Sequence, residues 1–133
     1  MKYLSDYMEK RQSELFKEKK VFFAFSDKQV KEGMAKINAS DRKKLTSLGS
    51  GMICPKTNAE QVIQGLDDIY RDCIKQDIKE NGIDKIILRE LCNHEAFYVG
   101  DINETIDILK DYPGITARDI KIVYLENFKK YTE

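Results

Sequence analysis

Tryptophan is absent from this 133-residue chain, and histidine (one), proline (two), cysteine (three) and arginine (five) are scarce. Each scarcity excludes something. With two prolines, long helical stretches run without a breaker. Cys54, Cys73 and Cys92 lie 19 residues apart with no C-x-x-C pair, which argues against a disulfide framework or a zinc finger. They read as reduced thiols, and the expected compartment is the cytoplasm. Long apolar runs are missing too. The longest aliphatic or aromatic run is Val21–Phe25, far too short to span a bilayer. The first residues, MKYLSDYMEKRQ, carry charges where a signal peptide needs an apolar region. No membrane partner is expected.

What is present is a soluble, helix-friendly composition, 41% hydrophobic and 35% charged, of the size of one domain, so residues 1–133 are expected to form a single globular domain. Heavy use of isoleucine and lysine over arginine fits an AT-rich bacterial or phage genome. Net charge is zero but unevenly spread: residues 1–56 hold 13 Lys/Arg against 7 Asp/Glu, and residues 57–133 hold 10 against 16. Opposite fields of this kind favour docking of the two halves or self-association, so a homo-oligomer is one form the chain allows.

Periodicity gives an α+β, predominantly helical fold, with about five helices and a small two- or three-stranded antiparallel sheet near the N-terminal half. Residues 2–19 read as the first helix. VFFAF, residues 21–25, reads as a short strand with both faces covered, since neither face is polar. Ser26 and Gln29 have capping-box spacing and open a second helix to about Ile37. KLTSLGSGMIC offers two short apolar runs around Gly49-Ser50-Gly51, the pattern of a hairpin with a bulged turn; the sheet is expected from residues 21–25 and 45–54. From Thr57 a wide apolar stripe (Val62, Ile63, Leu66, Ile69, Tyr70, Cys73, Ile74, Ile78) reads as one long helix, stopped by Asn81-Gly82 with a left-handed cap. Further helices are expected over 83–98, 102–112 and 117–131, with N-terminal caps at Asp101/Glu104 and Thr116/Asp119.

SLGSGMICPKT invites comparison with a phosphate-binding loop, and the comparison fails. Such a loop needs GxxxxGK followed by Ser or Thr, so that successive N–H groups converge on phosphate. Here Pro55 removes one donor and the glycines stand at the wrong distance. Thr57 and Glu60 have capping-box spacing, which would fill the helix N-terminus with the chain's own carboxylate.

The lone histidine lies in RELCNHEAFY, residues 89–98. No HExxH is present. Cys92 and His94 are about 200° apart on a helix and cannot chelate one metal, so neither metal nor cofactor is expected. With Ile83 at zero, Ile87, Leu91 and Tyr98 fall between about 40° and 80°, while Glu90 and His94 fall near 340° and 20°, inside the same apolar sector and one turn apart. Two readings follow. Glu90 and His94 are an acid–base pair, with Tyr98 as a further catalytic candidate; or they satisfy each other within a helix interface, with Tyr98 or Asn93 as a third member. No nucleophile or oxyanion donor is identifiable, which favours the second.

KEKKVFFAFSDKQVK mixes lysines with aromatics, but the lysines flank the aromatic run instead of alternating with it. Five arginines and overall neutrality argue against nucleic acid. In the last helix, Ile120, Val123, Tyr124, Asn127, Phe128 and Tyr131 share one side; if its last turns lack an internal partner, Phe128 and Tyr131 are the candidate contact patch.

FFAFSDKQVKEG followed by LTSLGSGMICPK, in the first half of the chain, resembles small uncharacterised proteins of gut bacteria and their phages. That resemblance carries no activity and no functional residue. It implies a setting of phages and mobile elements, in which small proteins often act by binding another protein. The expected function is therefore a non-catalytic protein-binding module. Two other classes stay open: a small enzyme using Glu90 and His94, and a weak nucleic-acid binder through the basic first half.

Overall fold

The computed structural model describes residues 1–133 as seven α-helices and one three-stranded sheet: α1 Leu4–Glu18, β1 Phe22–Phe23, α2 Asp27–Lys36, β2 Leu45–Gly49, β3 Met52–Pro55, α3 Ala59–Asn81, α4 Ile83–Asn93, α5 Ala96–Val99, α6 Asn103–Ile108 and α7 Ala117–Thr132. The α+β, mainly helical reading holds, with the sheet in the N-terminal half as expected. No helix is long and apolar enough to cross a membrane. Contacts divide the chain into two compact units, residues 2–73 and residues 74–133 together with Met1. Helix α3 gives residues 59–73 to the first and 74–81 to the second.

In residues 2–73 the sheet order is β1-β3-β2, antiparallel throughout. The hairpin forms at Gly49-Ser50-Gly51, where all three residues adopt positive φ, and a register shift between Ser47 and Gly49 marks the bulge. Phe22 and Ala24 turn to one side and bury against Val30 of α2, joined by Met34, Ile37, Leu45 and Ile53. The opposite side is not covered as expected: Phe23 is half exposed and Phe25 is 76% exposed. Apolar character on both sides of a short strand does not require two covering layers, because exposed apolar atoms are common on protein surfaces. Phe25 closes over the hairpin, and a Cβ on Gly51 would fall 2.4 Å from its ring.

Ser26 caps α2 by accepting from the Gln29 N–H at 3.2 Å, while the Gln29 side chain reaches back to the Phe25 N–H at 2.6 Å, one residue earlier than the usual box. The cap expected at Thr57 does not form. Lys56–Asn58 is a 3-10 turn, Thr57 Oγ1 donates to Asn58 Oδ1, and Asn58 Nδ2 donates to the Lys19 carbonyl at 2.9 Å. Helix α1 is tied to α3 by Arg11 Nη2 on Asp72 at 3.2 Å and by Leu15, whose methyls lie against Gly65.

In residues 74–133 the expected 83–98 helix is two. It ends at Asn93, Glu95 enters the left-handed region at φ 54°, and α5 restarts at Ala96. No glycine or proline marks this break. Burial of Ala96 and stacking of Phe97 on α7 redirect the chain. The expected 102–112 helix shortens to Asn103–Ile108, with Leu109 and Tyr112 of the following turns buried. At the end of α3, Gly82 has φ 79° and ψ 154°, an extended glycine conformation in place of the expected left-handed cap. Thr116 and Asp119 do form the expected capping box of α7, and backbone and side-chain bonds to Thr116 hold the Asp119 carboxyl below its ordinary range.

Gly33 supplies a test of the sheet packing. A helix interior favours alanine over glycine by about 1 kcal/mol. A Cβ there, however, would lie 2.1 Å from the Phe22 ring. Gly33→Ala is expected to destabilise the protein by about 1–3 kcal/mol in urea melts, overpacking outweighing the propensity gain.

Candidate functional site

Helix α3 carries an acidic residue, Asp77, in line with Tyr70, Cys73 and Ile74 of its apolar stripe, and it is 0% exposed. A carboxylate there requires partners, since an unpaired buried charge costs several kcal/mol. It has four bonds from three. Arg89 of α4 donates Nη1 to Asp77 Oδ1 at 2.8 Å and Nη2 to Oδ2 at 2.9 Å, a parallel fork. Asn81, one turn on, donates to Oδ1 at 2.7 Å, and the Tyr112 hydroxyl donates to Oδ2 at 2.5 Å. The fork leaves Arg89 Nε free to turn the other way, where it donates to Glu90 Oε1 at 2.9 Å.

Glu90 extends the chain outward. Its Oε2 lies 3.5 Å from His94 Nε2, and His94 Nδ1 lies 3.1 Å from Glu104 Oε1 on α6. The Glu90 backbone carbonyl accepts from the buried Thr105 hydroxyl at 3.4 Å. Asp77, Arg89 and Glu90 are buried, the His94 side chain is 16% exposed, and Glu104 stands in solvent. Acidic and nitrogen-bearing side chains thus alternate from the interior to the surface: acid, guanidinium, acid, imidazole, acid.

The titrations follow from that order. Burial pushes the Asp77 carboxyl up, but hydrogen bonds from Arg89, Tyr112 and Asn81 and the Arg89 charge together outweigh it and hold the group below the ordinary carboxylate range. Burial alone would lower Arg89; bonds and charge from Asp77 and Glu90 hold it above its ordinary value. Tyr112 is pushed up by burial and by its bond to Asp77, so it stays a donor. The buried Cys54 thiol is raised by desolvation.

Glu90 and His94, singled out by the helical wheel, do meet. Tyr98 does not join them: because the helix breaks after Asn93, it lies on α5 and is 90% exposed. Asn93 is also exposed, and Arg89 and Glu104 occupy the places the wheel assigned to Asn93 or Tyr98. Asp77, Arg89 and Tyr112 escaped the sequence reading. An acid interrupting an apolar stripe was the available signal for Asp77; nothing local marked Arg89 as its partner 12 residues on. His, Cys, Asp and Glu side chains nowhere gather in a group of three able to hold a metal ion. A separate cleft of about 310 Å³, lined by Ile83, Asp84, Gly114, Asp119, Ile122, Val123 and Glu126, is acidic and includes neither Glu90 nor His94.

Phe128 and Tyr131 have internal aromatic partners. Tyr131 stacks on Phe97 at 4.9 Å, Tyr124 stacks on Phe97 at 5.1 Å, and Phe128 meets Tyr124 edge-on at 5.6 Å. Both keep part of their rings exposed. Leu125, three residues before Phe128 on α7, is more open at 61% exposed, and Ile122 is exposed to about the same extent as Phe128 and Tyr131.

The fold and this cluster define a small helix-rich α+β protein organised on buried ion pairs. The chain belongs to a family of unknown function, DUF7659, which matches residues 4–130. None of the curated proteins and none of the solved structures matches the chain.

The network makes stability depend on acid. Asp77 has a folded pKa depressed below the unfolded value of about 3.9, so its contribution is present above that pH and lost as pH falls through the lower folded value. Urea melts between pH 6 and about pH 2 are expected to lose more stability in the wild type than in Asp77→Asn, which lacks this titration.

Proposed function

We propose that the protein is a non-catalytic, cytoplasmic protein-binding module, an accessory protein of a phage or mobile element that acts by occupying a partner's surface. The observation that carries this reading is the outer side of α7. Its inner side is committed to the core through Ile120 and Val123, yet Ile122, Leu125 and Phe128, three residues apart, stand exposed as a ridge. Single exposed apolar residues are ordinary; a run of three along one helix is the pattern of a contact surface. Phe128 belongs both to this ridge and to the aromatic cluster beneath it, so the ridge has a rigid base.

The charged cluster supports the same reading from the other side. Its interior members are consumed by one another, and the Thr105 hydroxyl beside Glu90 is buried and committed to the Glu90 backbone carbonyl. Affinity capture from host lysate, identified by mass spectrometry, tests the proposal. A defined partner is expected, retained by His94→Ala and weakened about tenfold or more by Leu125→Glu. Capture indifferent to Leu125→Glu, or a turnover abolished by His94→Ala in a folded protein, would contradict it.

A further inference from the structure

The ladder fixes which backbone groups of β2 face outward. The Ala24 N–H donates to the Gly51 carbonyl at 2.9 Å, and β1 pairs with β3 as Phe22↔Ile53 and Phe23↔Met52. Bonding pairs alternate in an antiparallel ladder, so Phe22 and Ile53 exchange bonds and Ile53 points its N–H and C=O toward β1. Met52 and Cys54 therefore point theirs toward β2, where Thr46 pairs with Cys54. Leu45 and Ser47, on either side of Thr46, turn theirs away from β3. No strand lies there, because β2 is an edge of the sheet. The Leu45 N–H is taken by the Arg42 carbonyl. The outer edge thus presents the Leu45 C=O and both groups of Ser47.

A groove of about 170 Å³ runs beside this edge, lined by Val30 of α2, by Leu45, Thr46, Ser47 and Ile53, and by Arg42 at its rim. Its size suits a benzene-sized apolar group. The surroundings are basic: residues 27–47 hold six Lys/Arg against three Asp/Glu. Two of those acids are already engaged, Asp27 with Arg42 at 3.4 Å and Asp41 with the Lys43 N–H at 2.9 Å. The cations Lys43 and Lys44 stand exposed immediately before the strand.

We propose that β2 takes up an extended acidic peptide segment of a partner protein as a fourth strand. The peptide residue opposite Ser47 exchanges two backbone hydrogen bonds with it, and the residue two places further along the peptide donates its N–H to the Leu45 carbonyl. An aliphatic side chain of the peptide fills the groove. Antiparallel addition then carries the C-terminal side of the peptide past Lys44 and Lys43, which select Asp or Glu there. Paired backbone donors and acceptors beside an apolar slot match a polypeptide, whereas a nucleic acid presents no such ladder. The site lies within residues 2–73 and is independent of the α7 ridge, so either proposal can fail alone.

Selection of a displayed library of random 12-residue peptides on the full chain tests it. Enriched peptides are expected to carry an aliphatic residue followed by Asp or Glu. Their affinity should fall about tenfold in Ser47→Pro, which removes the outward N–H and spares the Thr46–Cys54 pair, and about fivefold in Lys43→Glu/Lys44→Glu. In the unsubstituted protein a saturating selected peptide should slow hydrogen exchange at the Ser47 amide about tenfold or more, a readout that stands even if Ser47→Pro does not fold. The proposal is overturned if no peptide is enriched, if the Ser47 amide exchanges unchanged in the complex, or if a folded Ser47→Pro binds equally well. It is also overturned if the edge instead pairs with a second copy of the chain, seen as concentration-dependent sedimentation lost in Ser47→Pro, or if single-stranded DNA displaces the peptide.

Discussion

The bidentate pair between Asp77 and Arg89 is the constraint on which residues 74–133 depend. It fixes the end of α3 against α4, and each remaining polar group is placed by what the pair leaves unsatisfied. The carboxylate has acceptor capacity left over, which Asn81 and Tyr112 fill; the guanidinium has Nε left over, which Glu90 fills. Tyr112 brings in the turn after α6, and Glu90 brings in His94 and through it Glu104. A purely apolar interface would gain comparable stability with less geometric specificity. The fork, by contrast, admits one register of the two helices, since a shift of one residue would leave a buried charge without a partner.

The two units use different means of ordering. Residues 2–73 rest on aromatic and aliphatic packing: Phe22 under α2, Phe25 over the hairpin, Leu15 against Gly65. Small residues at Gly33, Gly51 and Gly65 permit those approaches. Residues 74–133 combine an aliphatic core of Ile86, Ile87, Leu91, Leu109 and Ile120 with the charged chain that runs outward to Glu104. Surfaces left over by these two schemes differ accordingly. One is a strand edge with basic surroundings, the other an apolar helix ridge.

Much of this was legible in the sequence, and the parts that were not have physical causes. The hairpin at Gly49-Ser50-Gly51 and the caps at Ser26 and Thr116 are decided within four residues, so the chain announces them locally. The break after Asn93 is different: helical periodicity continues through Tyr98, and only the docking of Ala96 and Phe97 ends the helix. That error moved Tyr98 from the imagined site into solvent. Glu90 and His94 were visible because they are one turn apart on one helix. Asp77, Arg89 and Tyr112 were not, since their bonds span 12 and 35 residues and no local rule pairs them. The exposed side of β1 was misjudged for a related reason: composition records that a residue is apolar, not whether anything lies above it.

A double-mutant cycle at the central pair measures this constraint most directly. Arg89→Met strands the buried Asp77 carboxylate and should cost about 3–5 kcal/mol in urea melts at pH 7, while Arg89→Met combined with Asp77→Leu leaves Glu90 and Tyr112 short of a partner yet should still cost about 2 kcal/mol less than the two single losses added together. Additive losses, with no recovery in the double variant, would show that the two side chains do not act on each other and that the helices are held by something else.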